Sequence, residues 1–136
     1  MQLFSLLFWK GSRIMAKRKT DSSSATGIAE NLKKGITEML ILAFLNQEES
    51  TINSVVKKLD ECSDGKCKIT FPYATIYRLL DNSYIAEGEK RVADNRRRQF
   101  YKITDKGRKY FAQMRSEYMN FISGVDMIFD YIDAEE

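Results

Sequence analysis

The stretch that decides the fold begins Ile69-Thr70-Phe71-Pro72-Tyr73-Ala74-Thr75-Ile76-Tyr77-Arg78-Leu79-Leu80. It continues through Tyr84-Ile85 and Arg96-Arg97-Arg98 to Ile103-Thr104-Asp105-Lys106-Gly107. Pro72 suits a first helical turn, where its missing N–H costs nothing, and Thr70 is placed to cap that turn. Ile76, Leu79 and Leu80 recur at helical spacing and form a core face, which turns Tyr73, Thr75, Tyr77 and Arg78 wholly or partly outward. Tyrosines on an exposed face call for a partner surface. Tyr84 to Arg91 alternates, Phe100-Tyr101-Lys102-Ile103 is rich in strand formers, and Val92-Ala93-Asp94-Asn95-Arg96 supplies turn residues between them. On the second strand Arg96, Arg98, Phe100 and Lys102 share one face, and Arg97, Gln99, Tyr101 and Ile103 the other. A short helix with an outward polar and aromatic face, followed at once by an arginine-laden hairpin, predicts a winged helix-turn-helix. The helix would enter a DNA major groove, and Arg91, Arg96, Arg97 and Arg98 would hold the flanking phosphates. A charged turn that only aids solubility is the alternative for the arginines.

Upstream, from Asn31, the run Leu32, Ile36, Met39, Leu40, Leu42, Ala43, Phe44, Leu45 becomes apolar nearly all round, so this helix should be buried on several sides. Ser50 or Thr51 can cap a second helix whose apolar face is Ile52, Val55, Val56 and Leu59, with Gly65 breaking the loop that follows. Downstream, Thr104 can cap a last helix running to about Asp133. Its apolar positions Phe111, Met114, Tyr118, Phe121, Val125, Ile128 and Ile132 are spaced alternately three and four apart. A small domain cannot bury a heptad seam of that length alone, so the seam predicts a homodimer whose twofold axis presents two recognition helices to a roughly palindromic site.

Charge is unevenly spread. From Lys66 to Tyr110 there are twelve Lys/Arg against five acids, a surplus of seven positive charges; from Phe111 to Glu136 one base faces six acids, a deficit of five. The middle of the chain attracts a polyanion and the end does not. With no histidine, no Gly-rich phosphate loop and no possible Cys-His or Ser-His pairing, nothing points to an enzyme. Cys62 and Cys67 cannot complete a four-ligand zinc site within one chain, so no metal and no cofactor are expected; the thiols are free in a reducing cytoplasm or, alternatively, form a redox switch.

At 136 residues the chain suggests one domain. Residues 1–30 are expected to be an extension and a mobile basic, Ser-rich arm, 31–104 the winged-helix domain, and 105–133 the dimerisation helix. The apolar run Leu3 to Trp9 is too short to span a bilayer and lacks the marks of a signal peptide, so no membrane association is expected. Met15-Ala16-Lys17-Arg18-Lys19 reads like a natural start, which makes the first fourteen residues an upstream extension. The cluster Lys17-Arg18-Lys19 either touches phosphates or remains a solvated tail.

These residues resemble the PadR family of bacterial transcriptional regulators. Gly35-Ile36-Thr37-Glu38-Met39-Leu40-Ile41-Leu42-Ala43-Phe44-Leu45 is similar to its first-helix pattern, and Thr75-Ile76-Tyr77-Arg78-Leu79-Leu80 to its recognition helix. Arg97-Arg98-Gln99-Phe100-Tyr101-Lys102-Ile103-Thr104-Asp105-Lys106-Gly107 is similar to its passage from wing to last helix. The single last helix resembles the short subfamily. The resemblance implies a mainly α fold with a small β-hairpin and a dimer formed through that helix. It also implies repression of transcription, relieved in some members by phenolic or planar aromatic effectors. Where such members carry a stacking tryptophan, this chain has Tyr118, which could stack on a flat ligand or simply pack in the dimer interface. Thr51-Ile52 replaces a common Gly-Tyr, and Ser83 a common glycine. Double-stranded DNA, a second copy and a small aromatic effector are thus the expected partners, with a cytoplasmic location. A winged-helix protein-interaction module that does not bind DNA is the alternative.

Overall fold

The computed structural model describes residues 32, 33 and 35–135. The expectations for residues 1–30 therefore lie outside the described residues. The chain divides between Thr37 and Glu38, and the architecture below is that of the unit Glu38–Glu136. It contains four helices and one hairpin: α1 (Thr37–Gln47), α2 (Ile52–Cys62), α3 (Tyr73–Asp81), β1 (Ile85–Ala93), β2 (Arg96–Ile103) and α4 (Asp105–Ala134). The fold is mainly α with a small antiparallel hairpin and a long C-terminal helix, in the element order of a winged helix-turn-helix.

On α1, Glu38, Ile41, Leu42 and Leu45 are buried at intervals of three and four, while Leu40 and Phe44 pack on the core from the flanks. The helix is thus embedded on more than one side, as its apolar run requires. Thr51 caps α2: its Oγ1 accepts from the Ser54 N–H at 3.1 Å, and Val55 and Leu59 face inward. With Ile69, Ile76, Leu79, Ile85 and Ile103 these residues form one core, and truncation of a fully buried member such as Leu79 to alanine should cost about 2–5 kcal/mol.

The start of α3 differs from the sequence expectation. Pro72, not Thr70, occupies the cap position; its φ of −81° and ψ of −15° are already helical, and its carbonyl accepts from the Ile76 N–H at 3.0 Å. The ring sets φ for the first turn, and no side-chain cap bond forms.

The hairpin turn is tighter than the five residues its composition suggests. Val92 and Ala93 remain in β1, Ala93 pairs with Arg96, and Asp94 and Asn95 alone turn the chain with φ of 54° and 62°. Both residues tolerate that left-handed region, which matches the twist of the strands. A bulge sets Gly88 and Glu89 opposite Phe100. The far edge of β2 is also paired: the Ser50 N–H donates to the Tyr101 carbonyl at 3.1 Å, and the Tyr101 N–H returns to Ser50 at 2.9 Å. Two bonds therefore tie the wing to the α1–α2 connection.

Thr104 caps α4 through the Gly107 N–H at 3.0 Å and donates to the Ser83 carbonyl at 2.6 Å. A Cβ on Gly107 would overlap the Tyr84 carbonyl, so only glycine lets α4 lie this close to the α3–β1 junction. Phe111 and Met114 pack on the core, but further along α4 Met119, Met127, Ile128, Tyr131 and Ile132 are exposed in the single chain.

Candidate nucleic-acid interface

The outer face of α3 is set by its inner one. Because Ile76 and Leu79 point into the core, Tyr73 and Tyr77, one turn apart, stand out with 52% and 59% of their surfaces exposed. Thr75 is half-buried. Tyr73 lines an open pocket of about 170 Å³ together with Thr51, Ile52 and Asn53 from the start of α2 and Arg98, Gln99 and Tyr101 from β2. The outer face of α3 and the wing strand thus meet on one side of the unit. Burial, then Glu87, Tyr77 and Tyr73, push the Tyr101 phenol above its ordinary pKa.

The arginines fall into three states. Arg96 and Arg97, beside the turn, are exposed, with no ion pair among those found for the described residues. Arg98 is half-buried, and its Nε is buried without a hydrogen-bond partner among the described residues. Arg91 is already engaged: its Nη2 lies 3.4 Å from Glu49 Oε2, its Nε 3.9 Å from Glu89, and its guanidinium stacks 3.9 Å above the Phe100 ring.

Arg78 is engaged too. Its Nε donates to Glu38 Oε1 at 2.9 Å and its Nη2 pairs with Glu38 Oε2 at 2.6 Å, while the Tyr110 hydroxyl donates to the same Oε2 at 3.1 Å. Tyr110 in turn stacks on Tyr84, with centroids 3.9 Å apart and planes within 3°. Burial, followed by the Glu38 charge and hydrogen bond, raises the Tyr110 pKa. Tyr118 is half-buried on α4.

Sequence reading passes over Glu38 and Tyr110, although an acid inside an apolar run is a signal in itself: a buried carboxylate needs a partner. It also passes over Phe71, 85% exposed at the threshold of α3, and Val92, 77% exposed in β1.

The profile of the Transcriptional regulator PadR-like family matches residues 41–113, from α1 through the first turns of α4. The chain belongs to this family. Its PadR-like segment contains α2, α3, both strands and the pocket, and the family is one of DNA-binding transcriptional regulators, not of enzymes. Solved structures agree in fold. A transcriptional regulator from Clostridium thermocellum is 24% identical, with a TM-score of 0.64 over 71% of this chain and 96% of its own. A PadR family regulator from Eggerthella lenta is 23% identical, with a TM-score of 0.63 over 76% of this chain and 90% of its own. A PadR-like regulator from Bacillus cereus is 23% identical, with a TM-score of 0.62 over 71% and 93%. No curated protein matches the chain significantly. Among the described residues no helix is long and apolar enough to cross a membrane, and no group of His, Cys, Asp and Glu could hold a metal ion.

Proposed function

We propose that this PadR-like regulator is a cytoplasmic homodimer that binds operator DNA sequence-specifically and represses transcription until a small aromatic effector binds. Tyr73, Thr75, Tyr77 and Arg78 meet the major groove or its edges. Arg96, Arg97 and Arg98 hold phosphates, and Arg91 joins them from its place above Phe100. Residues 31–104 serve as the reading domain and 105–133 as the dimerisation helix, with Tyr118 stacking on the effector or packing in the interface. The observation that carries this reading is the shared pocket: Tyr73 of α3 and Arg98 of β2 line one opening, so helix and wing can engage a single duplex. Arg96 and Arg97 stand exposed at the tip of that wing.

A gel shift on the DNA upstream of the protein's own coding region tests it. Binding by the wild-type chain should weaken steeply with salt, because each neutralised phosphate releases counterions. Simultaneous Arg96→Ala, Arg97→Ala and Arg98→Ala should abolish most of that binding. Undiminished binding by the triple variant, with a flat salt dependence, would remove the wing from the interface.

A further inference from the structure

We infer that Glu38 and Tyr110 are positioning residues that hold the Arg78 guanidinium as a fixed fork for one guanine in each half-site. This rests on the proposed contact between α3 and the major groove. A guanidinium carries five N–H groups, and the Nε and Nη2 bonds to Glu38 use two of them. Three remain, on Nη1 and on the other hydrogen of Nη2, and the Arg78 side chain is 62% exposed. The Nη1 and Nη2 donors of that free edge can bond guanine O6 and N7 bidentately.

Charge favours the base over the phosphate as the target. Arg78 already faces a carboxylate whose side chain is only 10% exposed, so it offers little net charge to a phosphate. What the pair supplies is orientation: an arginine on a flexible stem otherwise loses rotamer freedom on binding. Glu38 is the hub, since its Oε2 accepts from both Arg78 and Tyr110. Tyr110 is held in turn by its stack on Tyr84, which places the first turns of α4 in the same chain of contacts as the reading helix.

The test uses the full-length protein and a duplex that the wild-type chain selects from a random pool, with each guanine replaced in turn by 7-deazaguanine, which lacks the N7 acceptor. The wild-type protein should lose about tenfold in affinity at one guanine per half-site, within the range for a bidentate base contact. Arg78→Met keeps an unbranched stem but carries no N–H donor, so it should erase that penalty. Tyr110→Phe should shrink the penalty to about threefold or less at that guanine and no other. A merely structural role for Tyr110 would lower affinity for all duplexes alike and leave the penalty at its wild-type size, which overturns the positioning role. A penalty that persists in Arg78→Met, or no guanine with a penalty, overturns Arg78 as the reader. Failure of the wild-type chain to select any duplex would instead overturn the DNA-binding reading beneath both.

Discussion

The reading head and the far half of α4 both leave apolar side chains in water, but in opposite electrical settings. On the head, Phe71, Tyr73, Tyr77 and Val92 stand among arginines within the segment that carries the positive surplus; on α4, Met119, Met127, Ile128, Tyr131 and Ile132 stand among acids. The chemistry differs as well. Two of the head's exposed side chains carry phenolic hydroxyls, which suit a surface rich in acceptors, whereas those of α4 are mostly aliphatic or thioether and suit another apolar seam. On the proposed reading the first surface faces a polyanion and the second a twin chain, and the acids of the second make it a poor rival for DNA.

The largest effect expected from this contrast is on self-association. Ile128→Asp with Ile132→Asp puts charge into the seam of both copies and removes burial of about 1.5–3 kcal/mol per side chain. Sedimentation equilibrium should show association at least a thousandfold weaker, and an unchanged dimer would move the interface elsewhere. Salt should act on the two surfaces with opposite sign. Screening eases repulsion between acidic tails and so tightens the dimer, while it loosens the head from DNA.

Next in size is the wing. In the triple arginine variant the log–log salt slope of DNA binding should flatten by about 2–3, near 0.9 for each phosphate left without its arginine, as read by fluorescence anisotropy. The dimer constant should not move. A matching loss of dimerisation would break the separation between the two regions.

Smaller is the strain at Ser83, which joins α3 to the wing with a φ of 62°. A side chain in that conformation costs roughly 1–2 kcal/mol, partly offset by the extra freedom glycine has when unfolded. Ser83→Gly should stabilise the fold by about 0.5–1 kcal/mol in urea denaturation. The bond from Thr104 to the Ser83 carbonyl is unaffected, so DNA affinity should stay the same.

The smallest effect lies at the joint between the regions and appears only in alkali. The Tyr110 phenol has a folded pKa above its ordinary value of about 10, first through burial and then through Glu38. Its contribution to stability is complete below pH 10 and is lost as pH rises through the raised folded value. Wild type should therefore destabilise above about pH 10 more steeply than Tyr110→Phe, and equal slopes would mean that the phenol titrates freely.

What was legible in the sequence is local. The hairpin follows from the strand formers on either side of Val92 to Arg96, the helix α4 from its apolar spacing of three and four, and the α2 and α4 caps from Ser50-Thr51 and Thr104, of which Thr51 is the one used at α2. What was not legible is pairing across distance. Arg78 finds Glu38 forty positions away, Arg91 finds Glu49 forty-two away, and Ser50 joins β2 through Tyr101. No periodicity encodes those meetings, so of the arginines assigned to DNA from sequence, Arg78 and Arg91 arrive already paired with acids.

Selection of duplex DNA from a random pool by the full-length protein, followed by sequencing, tests the central claim most directly. A basic head presented twice about a twofold axis should enrich inverted repeats, with half-site centres about 10 base pairs, or a multiple, apart. Enrichment of a single unrepeated half-site, or of no sequence at all, would contradict it.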